Sequence, residues 1–253
     1  MRRVAKPEDD GAFMGIRYSQ AGLLAGLAAL LSVAACSGGT ADKASEAETP
    51  APTIDPYADE PVNVDLWLER LEVGSRELYS ARTNVVDALH LSPGERVADI
   101  GAGTGLYSLL FAEKVAPNGV VFAVDIAPRF LTLINQRADD LGVNNIVSVL
   151  SRPESITLPP GSVDAVFIAD TYHYFDDPAV IMKTVYEALA AGGALYIVDY
   201  DLKDGETPSP EKRHVRFGKA GMKSEIESFG FTFAEEPKVE GLSENYILKF
   251  TRP

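Results

Sequence analysis

The segment Val97–Gly105 reads VADIGAGTG and joins a short apolar stretch to a turn with glycine at every second position. Its first residues are small or β-branched with one acid among them, which is typical of a parallel strand covered on both faces. The next residues, Leu106–Phe111, read LYSLLF and begin an apolar helix. The segment therefore predicts a strand, a tight turn and a helix, which together form the first unit of an α/β fold.

The glycines Gly101, Gly103 and Gly105 leave one side of this turn without Cβ atoms, so a flat ligand can lie against the backbone. Free amides and the positive dipole end at the start of the helix favour a carboxylate or another anion there. A dinucleotide-binding turn has the spacing G-x-G-x-x-G, and Leu106 stands where its last glycine would be. This disfavours a nicotinamide oxidoreductase, while a tight connection without any ligand stays open.

Asp99 lies inside the predicted strand, two residues before Gly101, where it suits a ligand with a positive charge. The pattern D-x-G-x-G-x-G resembles motif I of the class I S-adenosylmethionine-dependent methyltransferases, in which the acidic residue faces the methionine end of the cofactor. The resemblance implies S-adenosyl-L-methionine as cofactor. It also implies a cofactor-binding set in this turn: Asp99, Gly101, Ala102, Gly103, Thr104 and Gly105.

From Arg96 onward, short β-branched stretches alternate with helical stretches, which predicts βαβ units in a parallel sheet with right-handed crossovers. The predicted strands are Val97–Ile100, Val120–Val124, Ile146–Leu150, Val163–Ala169, Ala194–Tyr200, Phe231–Glu235 and Tyr246–Phe250. Helices are predicted at about 105–115, 128–141, 178–190 and 219–229. The resemblance implies a Rossmann-like α/β methyltransferase fold with helices on both faces. Its sheet would have seven mostly parallel strands in the order 3-2-1-4-5-7-6, with strand 7 antiparallel.

Residues 63–253 are predicted to form the methyltransferase domain, with a helical lid at about 63–92. The spacing of apolar residues predicts one helix over Leu66–Leu71 and a second over Leu78–Leu89. In this family, helices placed before the glycine turn cover the cofactor pocket. The resemblance therefore makes three residues candidate lid residues, although an exposed helix face explains them equally well: Arg76, Tyr79 and Arg82.

Asp125 closes the second predicted strand, at the carboxyl end where open α/β sheets bind ligands. A carboxylate there can accept two hydrogen bonds from a ribose diol, so we assign Asp125 and the next residue, Ile126, to the cofactor site. An N-cap for the helix that begins at Pro128 is the alternative role of Asp125.

The third predicted strand leads into Arg152. Many relatives carry Asp at this position, where it receives the adenine amino group, and Arg departs from that pattern. Glu154 or a backbone carbonyl could take over this role. We assign Glu154 and Ser155 to the adenine end of the cofactor, while Arg152 can equally be solvated.

The fourth predicted strand runs into Asp170–Phe175 (DTYHYF), which corresponds to motif IV of the family, the part that faces the methyl group and the acceptor. Methyl transfer from a sulfonium is an in-line displacement, so the enzyme chiefly aligns the reactants, and a base is needed only if the acceptor loses a proton. His173 is the predicted base, with Asp170 and Tyr172 as positioning groups; Asp170 and Thr171 also belong to the cofactor site. A histidine packed under the following helix is the alternative.

The remaining histidines, His90 and His214, have weaker context, and no metal-ligand spacing is present in the sequence. His214 lies in a basic run that could meet an anionic acceptor or be a solvated loop. Three aromatic residues suggest instead a neutral or cationic, partly apolar acceptor: Tyr172, Tyr174 and Tyr200.

Residues 1–35 are predicted to be a lipoprotein-type signal peptide, because basic residues precede an apolar run shorter than the ~20 residues of a membrane-spanning helix. The run ends in Val33–Cys36 (VAAC), which resembles the lipobox cleaved by the bacterial lipoprotein signal peptidase and implies lipidation of Cys36. An ordinary signal peptide is the alternative. Residues 36–62 are rich in Ala, Ser, Pro and acid, which predicts a flexible linker.

These features predict an exported protein anchored to the periplasmic side of a bacterial membrane through Cys36. A cytoplasmic location follows if the leader does not export or does not belong to the true protein; a start at Met14 rather than Met1 would give a more compact leader. The net charge of −14 over 253 residues opposes binding to a phosphate backbone, so no nucleic-acid substrate is expected.

Two main functions compete. The first is an active methyltransferase that acts on an unidentified small molecule or protein. The second is a non-catalytic, membrane-tethered binding module that keeps the fold, favoured because S-adenosylmethionine is not normally supplied outside the cytoplasm. The intact set of Asp99, the glycine turn and Asp125 favours the active enzyme.

Overall fold

A computed structural model of the chain describes residues 62–203 and 212–253. The predicted signal peptide, the lipidation site Cys36 and all of the linker except residue 62 lie outside these ranges. Within them, no helix is both long and apolar enough to cross a membrane.

A single sheet forms the centre of the fold. Its strands are β1 (Arg96–Ile100), β2 (Val120–Asp125), β3 (Ile146–Leu150), β4 (Val163–Ala169), β5 (Leu189–Tyr200), β6 (Thr232–Glu235) and β7 (Asn245–Thr251). The seven strands lie in the order β3-β2-β1-β4-β5-β7-β6. Strands β1 to β5 pair in parallel, and β7 runs antiparallel to both β5 and β6. The predicted strand order and the antiparallel end of the sheet are confirmed.

The helices largely follow the prediction. They are α1 (Val64–Leu71), α2 (Glu77–Ser80), α3 (Arg82–Ala88), α4 (Leu106–Val115), α5 (Pro128–Leu141), α6 (Pro178–Ala188) and α7 (Lys219–Ser228), with a 3-10 turn at Tyr172–Tyr174. The predicted helix over Leu78–Leu89 is divided at Ala81, where the backbone leaves helical geometry (φ −95°, ψ 10°). Ala81 packs against Gly241, so its Cβ would be only 2.9 Å from a Cβ at that position.

Strand β5 begins earlier than predicted. Leu189 already pairs with Val163, and the register then shifts before Ala194 pairs with Ala165. Gly192, at φ +77°, makes this irregular entry possible, and its amide donates to the Arg252 carbonyl at 2.8 Å. Helix α6 therefore ends at Ala188 instead of near residue 190.

Alternate residues of the strands pack into two large apolar clusters, one on each face of the sheet, and a third, small cluster joins Ala123 of β2 to Leu131 and Ile134 of α5. One face, which packs under α3 and α4, includes Val97, Phe111 and Phe167. The other, under α6 and α7, includes Ile168 and Ile197. Burying a side chain of this size contributes roughly 1.5–3 kcal/mol, so these clusters hold the carboxyl ends of the strands in place.

Candidate active site

A cavity of about 910 Å3 lies at the carboxyl ends of β1, β2 and β4. We call it the central cavity. The N-terminal segment closes part of it: Trp67, Leu71 and Arg76 line its wall, and the Trp67 ring meets the Phe130 ring edge-on at 6.1 Å between centroids. Phe130 belongs to α5, so the cavity is enclosed by helices on more than one side.

The glycine turn forms the floor of the central cavity, with Gly101, Ala102, Gly103 and Thr104 among its lining residues. Gly101 has φ +73°, and a Cβ there would be 2.3 Å from the Thr171 Oγ1 atom, so only glycine fits. This contact places the end of β4 directly against the end of β1. Thr171 itself also lines the cavity and donates to the Ala169 carbonyl at 2.9 Å.

The amides of the glycine turn itself are mostly occupied by hydrogen bonds within the protein. The amides of Gly101 and Ala102 donate to the Val124 carbonyl at 2.8 and 3.1 Å, and that of Gly103 donates to Asp125. Gly105 does not line the central cavity; it is the residue before α4, at φ +80°, and a Cβ there would lie 2.6 Å from Ile134. The turn therefore braces β1 against β2.

Asp99 lines the central cavity and is buried. The Ser108 hydroxyl donates to its Oδ2 atom at 2.6 Å. Burial raises the pKa of Asp99 to about 7; the charge of Asp125 adds to this rise, and hydrogen bonding from Ser108 opposes it. A carboxylate held in this way would gain stability from a bound cation.

Asp125 is buried at the end of β2 and lines the same cavity. Its two oxygens accept from the amides of Gly103 and Ala127, each at 2.8 Å. Burial raises the pKa of Asp125, and these amides oppose the rise. The N-cap of α5 is Ala127, so the alternative role of Asp125 as the N-cap is wrong, and both oxygens keep lone pairs for a further ligand. Ile126 also lines the cavity.

Neither of the two residues assigned to the adenine end lies at the central cavity. Arg152 and Ser155 pair their backbones as an isolated bridge, which leaves Glu154 exposed at the tip of the loop, and the Ser155 hydroxyl accepts from the Thr157 amide at 3.0 Å. This loop presents other residues to the cavity, Ser151, Arg152, Pro153 and Ile156. The assignment of Glu154 and Ser155 is therefore corrected, because the bridge turns both away.

Asp170 lines the cavity at the end of β4, in the left-handed region at φ +45°. Its carboxylate accepts from Arg76 at 2.7 Å and from the Asn245 side-chain amide at 2.9 Å. Burial raises the pKa of Asp170, and the Arg76 charge opposes the rise. The cavity is thus reached by one predicted lid residue, Arg76. The other two, Tyr79 and Arg82, contact each other instead, with the Arg82 guanidinium 4.5 Å from the Tyr79 ring centre, and do not line the cavity.

The residues Tyr172 and His173 point to different places. The Tyr172 ring is buried in the apolar cluster below the cavity, and its hydroxyl donates to Glu225 at 2.5 Å. The predicted positioning role of Tyr172 is therefore corrected, since the 3-10 turn directs its side chain into the core. His173 lines the cavity, and its Nδ1 atom is 2.8 Å from the Asp199 Oδ1 atom.

Asp199 is the functional candidate that sequence reasoning missed. It is fully buried on β5, next to the half-buried last residue of the strand, Tyr200. An acid inside the apolar stretch YIVDY was the available signal, because a buried carboxylate is rare unless it is paired. The partner, His173, comes from a different strand end, so the pairing required the fold.

Aromatic rings surround His173 at the open side of the cavity. Its ring centre lies 4.3 Å from that of Tyr174 and 6.4 Å from that of Tyr200. The His214 ring lies 5.2 Å from Tyr174 and also lines the cavity, whereas His90 is exposed elsewhere. In the ranges that the structure covers, no cluster of acids, histidines or cysteine could hold a metal ion.

The strand order, the acid-and-glycine turn after β1 and the acid that ends β2 together define a class I methyltransferase fold. Residues 91–228 match the family described as "Methyltransferase domain". This match covers more than half of the chain. The chain therefore belongs to this family of S-adenosylmethionine-dependent methyltransferases, and S-adenosylmethionine is the cofactor of the family.

Similar proteins agree with this assignment. The chain is 26% identical over 54% of its length to the ubiquinone/menaquinone biosynthesis C-methyltransferase UbiE of Pasteurella multocida, covering 50% of that protein. It is 32% identical over 50% of its length to a protein-L-isoaspartate O-methyltransferase of Aeropyrum pernix, covering 48%. The chain thus spans about half the length of these relatives. A SAM-dependent methyltransferase from Aquifex aeolicus has the same fold, with a TM-score of 0.64, 23% identity and coverage of 74% of this chain and 98% of that one.

Proposed function

We propose that the protein transfers the sulfonium methyl group of S-adenosylmethionine to an acceptor by in-line displacement in the central cavity. The observation that carries this proposal is that two buried acids, Asp99 and Asp125, line the same cavity as His173. A cavity with a few convergent polar groups and acids of raised pKa is typical of a catalytic site.

The residues present fit the cofactor. Asp99 would bind the methionine ammonium, because a buried carboxylate with a raised pKa is stabilised by a cation. Asp125 would accept hydrogen bonds from the ribose hydroxyls through its remaining lone pairs. The adenine ring would lie near Ile126 and Ile156, which offer apolar surface at the cavity wall.

When bound, S-adenosylmethionine supplies a methyl group attached to a positively charged sulfur. The chain's own contribution is to align an acceptor with that group and to exclude water. Trp67, Leu71 and Arg76 would cover the site, and the ion pair between Arg76 and Asp170 would hold this cover in place at 2.7 Å. Asp170 is thus proposed as a positioning residue rather than as a group that reacts.

The two relatives do not agree on an acceptor, since one is a C-methyltransferase and the other an O-methyltransferase. The rings of Tyr174, Tyr200 and His214 support an acceptor that is partly apolar. The second candidate function is a binding module without catalysis, and a location outside the cytoplasm would favour it.

Binding of the cofactor to the full-length chain tests the proposed function. Isothermal titration with S-adenosylmethionine and S-adenosylhomocysteine should give micromolar affinity, which Asp125→Ala should weaken strongly. Asp140→Ala is the matched control, because Asp140 is exposed on α5 and does not line the cavity. Absence of heat with both ligands would contradict the proposal, and binding without methyl transfer to any acceptor would favour the binding module.

We also propose that the protein is exported and tethered to a membrane through an acylated Cys36, on the basis of its VAAC motif. Metabolic labelling with a fatty acid, followed by fractionation, tests this. The wild type should carry the label in the membrane fraction and Cys36→Ser should not. An unlabelled wild type in the soluble fraction would contradict the tether.

A further inference from the structure

The pair formed by His173 and Asp199 has the geometry of a base held by an acid. Their side chains are 3% and 0% exposed, and Nδ1 lies 2.8 Å from Oδ1. A carboxylate in this position keeps a proton on Nδ1 and orients the ring. Because Nδ1 faces Asp199 while His173 lines the cavity, Nε2 is the nitrogen left to meet an acceptor.

Packing does not explain Asp199. Its Oδ1 atom accepts from the Tyr200 amide at 2.8 Å as well as contacting His173, while its Oδ2 atom is buried without a partner in the described part of the chain. A buried carboxylate that leaves one oxygen unpaired lowers stability. A buried carboxylate oxygen without a partner is unusual in a hydrophobic core. It is expected in a catalytic site, where the loss of stability accompanies a function.

The space beside His173 suits a flat ring. The Tyr174 ring centre lies 4.3 Å from that of His173 and 5.2 Å from that of His214, and the Tyr200 ring centre lies 6.4 Å from that of His173. Aromatic rings favour offset or edge-on contacts at such distances. A planar aromatic acceptor would thus place a ring substituent close to Nε2.

We propose that the acceptor is a hydroxylated aromatic ring, methylated on oxygen, with His173 as the general base and Asp199 as the residue that positions it. This inference rests on the proposed methyltransferase function. A neutral amine already carries the lone pair that attacks, whereas a phenolic hydroxyl must lose a proton, which is the task of a base.

Nε2 of His173 takes the hydroxyl proton, and Asp199 stabilises the resulting imidazolium. The phenolic oxygen attacks the methyl carbon and forms the O–CH3 bond as the S–CH3 bond breaks. The electron pair of the broken bond remains on sulfur, which gives a neutral thioether, and the proton later leaves His173 for solvent.

A chromogenic phenol tests the base directly. The full-length protein is saturated with S-adenosylhomocysteine, which cannot donate a methyl group, and 4-nitrophenol is added below the pKa of the free phenol. The wild type should bind it as the phenolate, which absorbs visible light. His173→Gln should bind it with an affinity within about threefold but as the uncoloured phenol, and Asp199→Asn should reduce the coloured fraction.

Methyl transfer from S-adenosylmethionine to 1-naphthol gives the second readout. His173→Gln should lower the rate by roughly 10²–10⁴-fold, as expected for loss of a general base. The difference in rate between His173→Gln and the wild type should become smaller above the pKa of naphthol, because solvent then removes the hydroxyl proton. A merely structural role of His173 would not produce this recovery of rate. The titratable and charged groups around His173, unchanged in this variant, are Asp170, Tyr174, Asp199, Tyr200, Tyr246, Arg76 and His214.

His90→Gln is the matched control, since it removes an exposed histidine outside the cavity and should change neither readout. If His173→Gln fails to bind S-adenosylhomocysteine through misfolding, Tyr174→Leu tests the ring contact instead and should weaken 4-nitrophenol binding. If the wild type binds S-adenosylhomocysteine but binds no phenol, or binds phenols only in the neutral form, this inference is overturned. If the wild type does not bind S-adenosylhomocysteine, the proposed function itself is overturned.

Discussion

Buried tyrosines in this protein differ in what their hydroxyl groups contact. The Tyr196 hydroxyl donates to the Leu89 carbonyl at 2.7 Å, whereas the Tyr246 hydroxyl is buried without a partner among the described residues. A typical hydrogen bond contributes about 0.5–1.5 kcal/mol to stability, and an unpaired buried polar group costs about 1–3 kcal/mol. The two hydroxyls therefore have opposite effects on the free energy of unfolding.

We expect Tyr246→Phe to leave the free energy of unfolding unchanged or to raise it by about 1 kcal/mol, because it removes an unpaired hydroxyl. Tyr196→Phe should lower it by about 1 kcal/mol, since the Leu89 carbonyl loses its donor. Urea unfolding of both variants measures this difference. A larger loss of stability for Tyr246→Phe than for Tyr196→Phe would mean that the Tyr246 hydroxyl has a partner such as a buried water.

Asp99 should make stability depend on pH. Its pKa is about 7 in the folded state against 3.8 for an ordinary Asp, so the folded protein holds this proton over a range in which the unfolded chain releases it. The resulting stability is fully present below pH 3.8 and is lost as pH rises through 7. Asp99→Asn removes the titration, and Asn can still accept from Ser108.

Urea unfolding of the ligand-free protein from pH 5 to pH 8 tests this. The advantage of Asp99→Asn over wild type should grow with pH, by on the order of 1–4 kcal/mol. The same variant should bind S-adenosylmethionine roughly 10–100-fold more weakly, because the ammonium loses its carboxylate. A constant stability difference across this range would show that Asp99 is ionised throughout.

At the scale of elements, the glycine turn is held by backbone geometry and by contact with the next strand end. Gly101→Ala should prevent the turn from closing, because a Cβ would overlap Thr171 and the backbone has φ +73°. Gly161→Ala, at φ +62° with nothing within 4 Å of the new Cβ, introduces the same backbone strain alone. We expect a loss of about 1–2 kcal/mol for Gly161→Ala and clearly more for Gly101→Ala.

Thermal unfolding and titration with S-adenosylhomocysteine distinguish the two glycine variants. Only Gly101→Ala should lose ligand binding, since Gly161 lies outside the central cavity. Equal stability of the two variants would show that Thr171 moves aside at little cost.

Most elements were predictable from the sequence because their patterns are local. The alternation of buried stretches and helical periods gave bounds for β3 and β4 that the structure reproduces, Ile146–Leu150 and Val163–Ala169. The break at Ala81 has no local signal in the sequence, and the residue that packs against Ala81, Gly241, lies far along the chain. The early start of β5 at Leu189 likewise depends on pairing with Val163.

At the scale of the whole molecule, Glu77 joins the first helices to the last strand. Its carboxylate accepts from the amides of Ser243, Glu244 and Asn245, residues that lead into β7. Burial alone would raise the pKa of Glu77, but the hydrogen bonds from Ser243, Glu244 and Asn245 outweigh it and lower the pKa below 4.5. Asn245 also contacts Asp170, so this junction borders the central cavity.

Glu77→Gln should lower the free energy of unfolding near neutral pH by about 1–3 kcal/mol, because a charged acceptor of several amides is lost. Since the folded pKa is lowered, this contribution is present above pH 4.5 and is lost as pH falls through the folded pKa, so the deficit should shrink in acid. Glu69→Gln is the matched control, because Glu69 is exposed on α1. A deficit that does not change with pH would contradict the ionic contribution of Glu77.

The sequence by itself determined the alternation of strands and helices and the residues of the glycine turn, and its family resemblance implied the strand order that the structure has. Asp99, the glycine turn and Asp125 lie within or beside single strands, so their chemistry could be read from local pattern and spacing. The bridge between Arg152 and Ser155 directs the Glu154 side chain away from the cavity. The 3-10 turn directs the Tyr172 side chain into the core.

Only the tertiary structure decided which distant residues meet. His173 follows β4, and its partner Asp199 lies on β5; Asp170 meets Arg76 from the N-terminal segment and Asn245 from β7. These contacts join residues that lie 26, 94 and 75 positions apart. Periodicity reports which face of an element is buried, but packing between elements sets the distance between side chains on different strand ends.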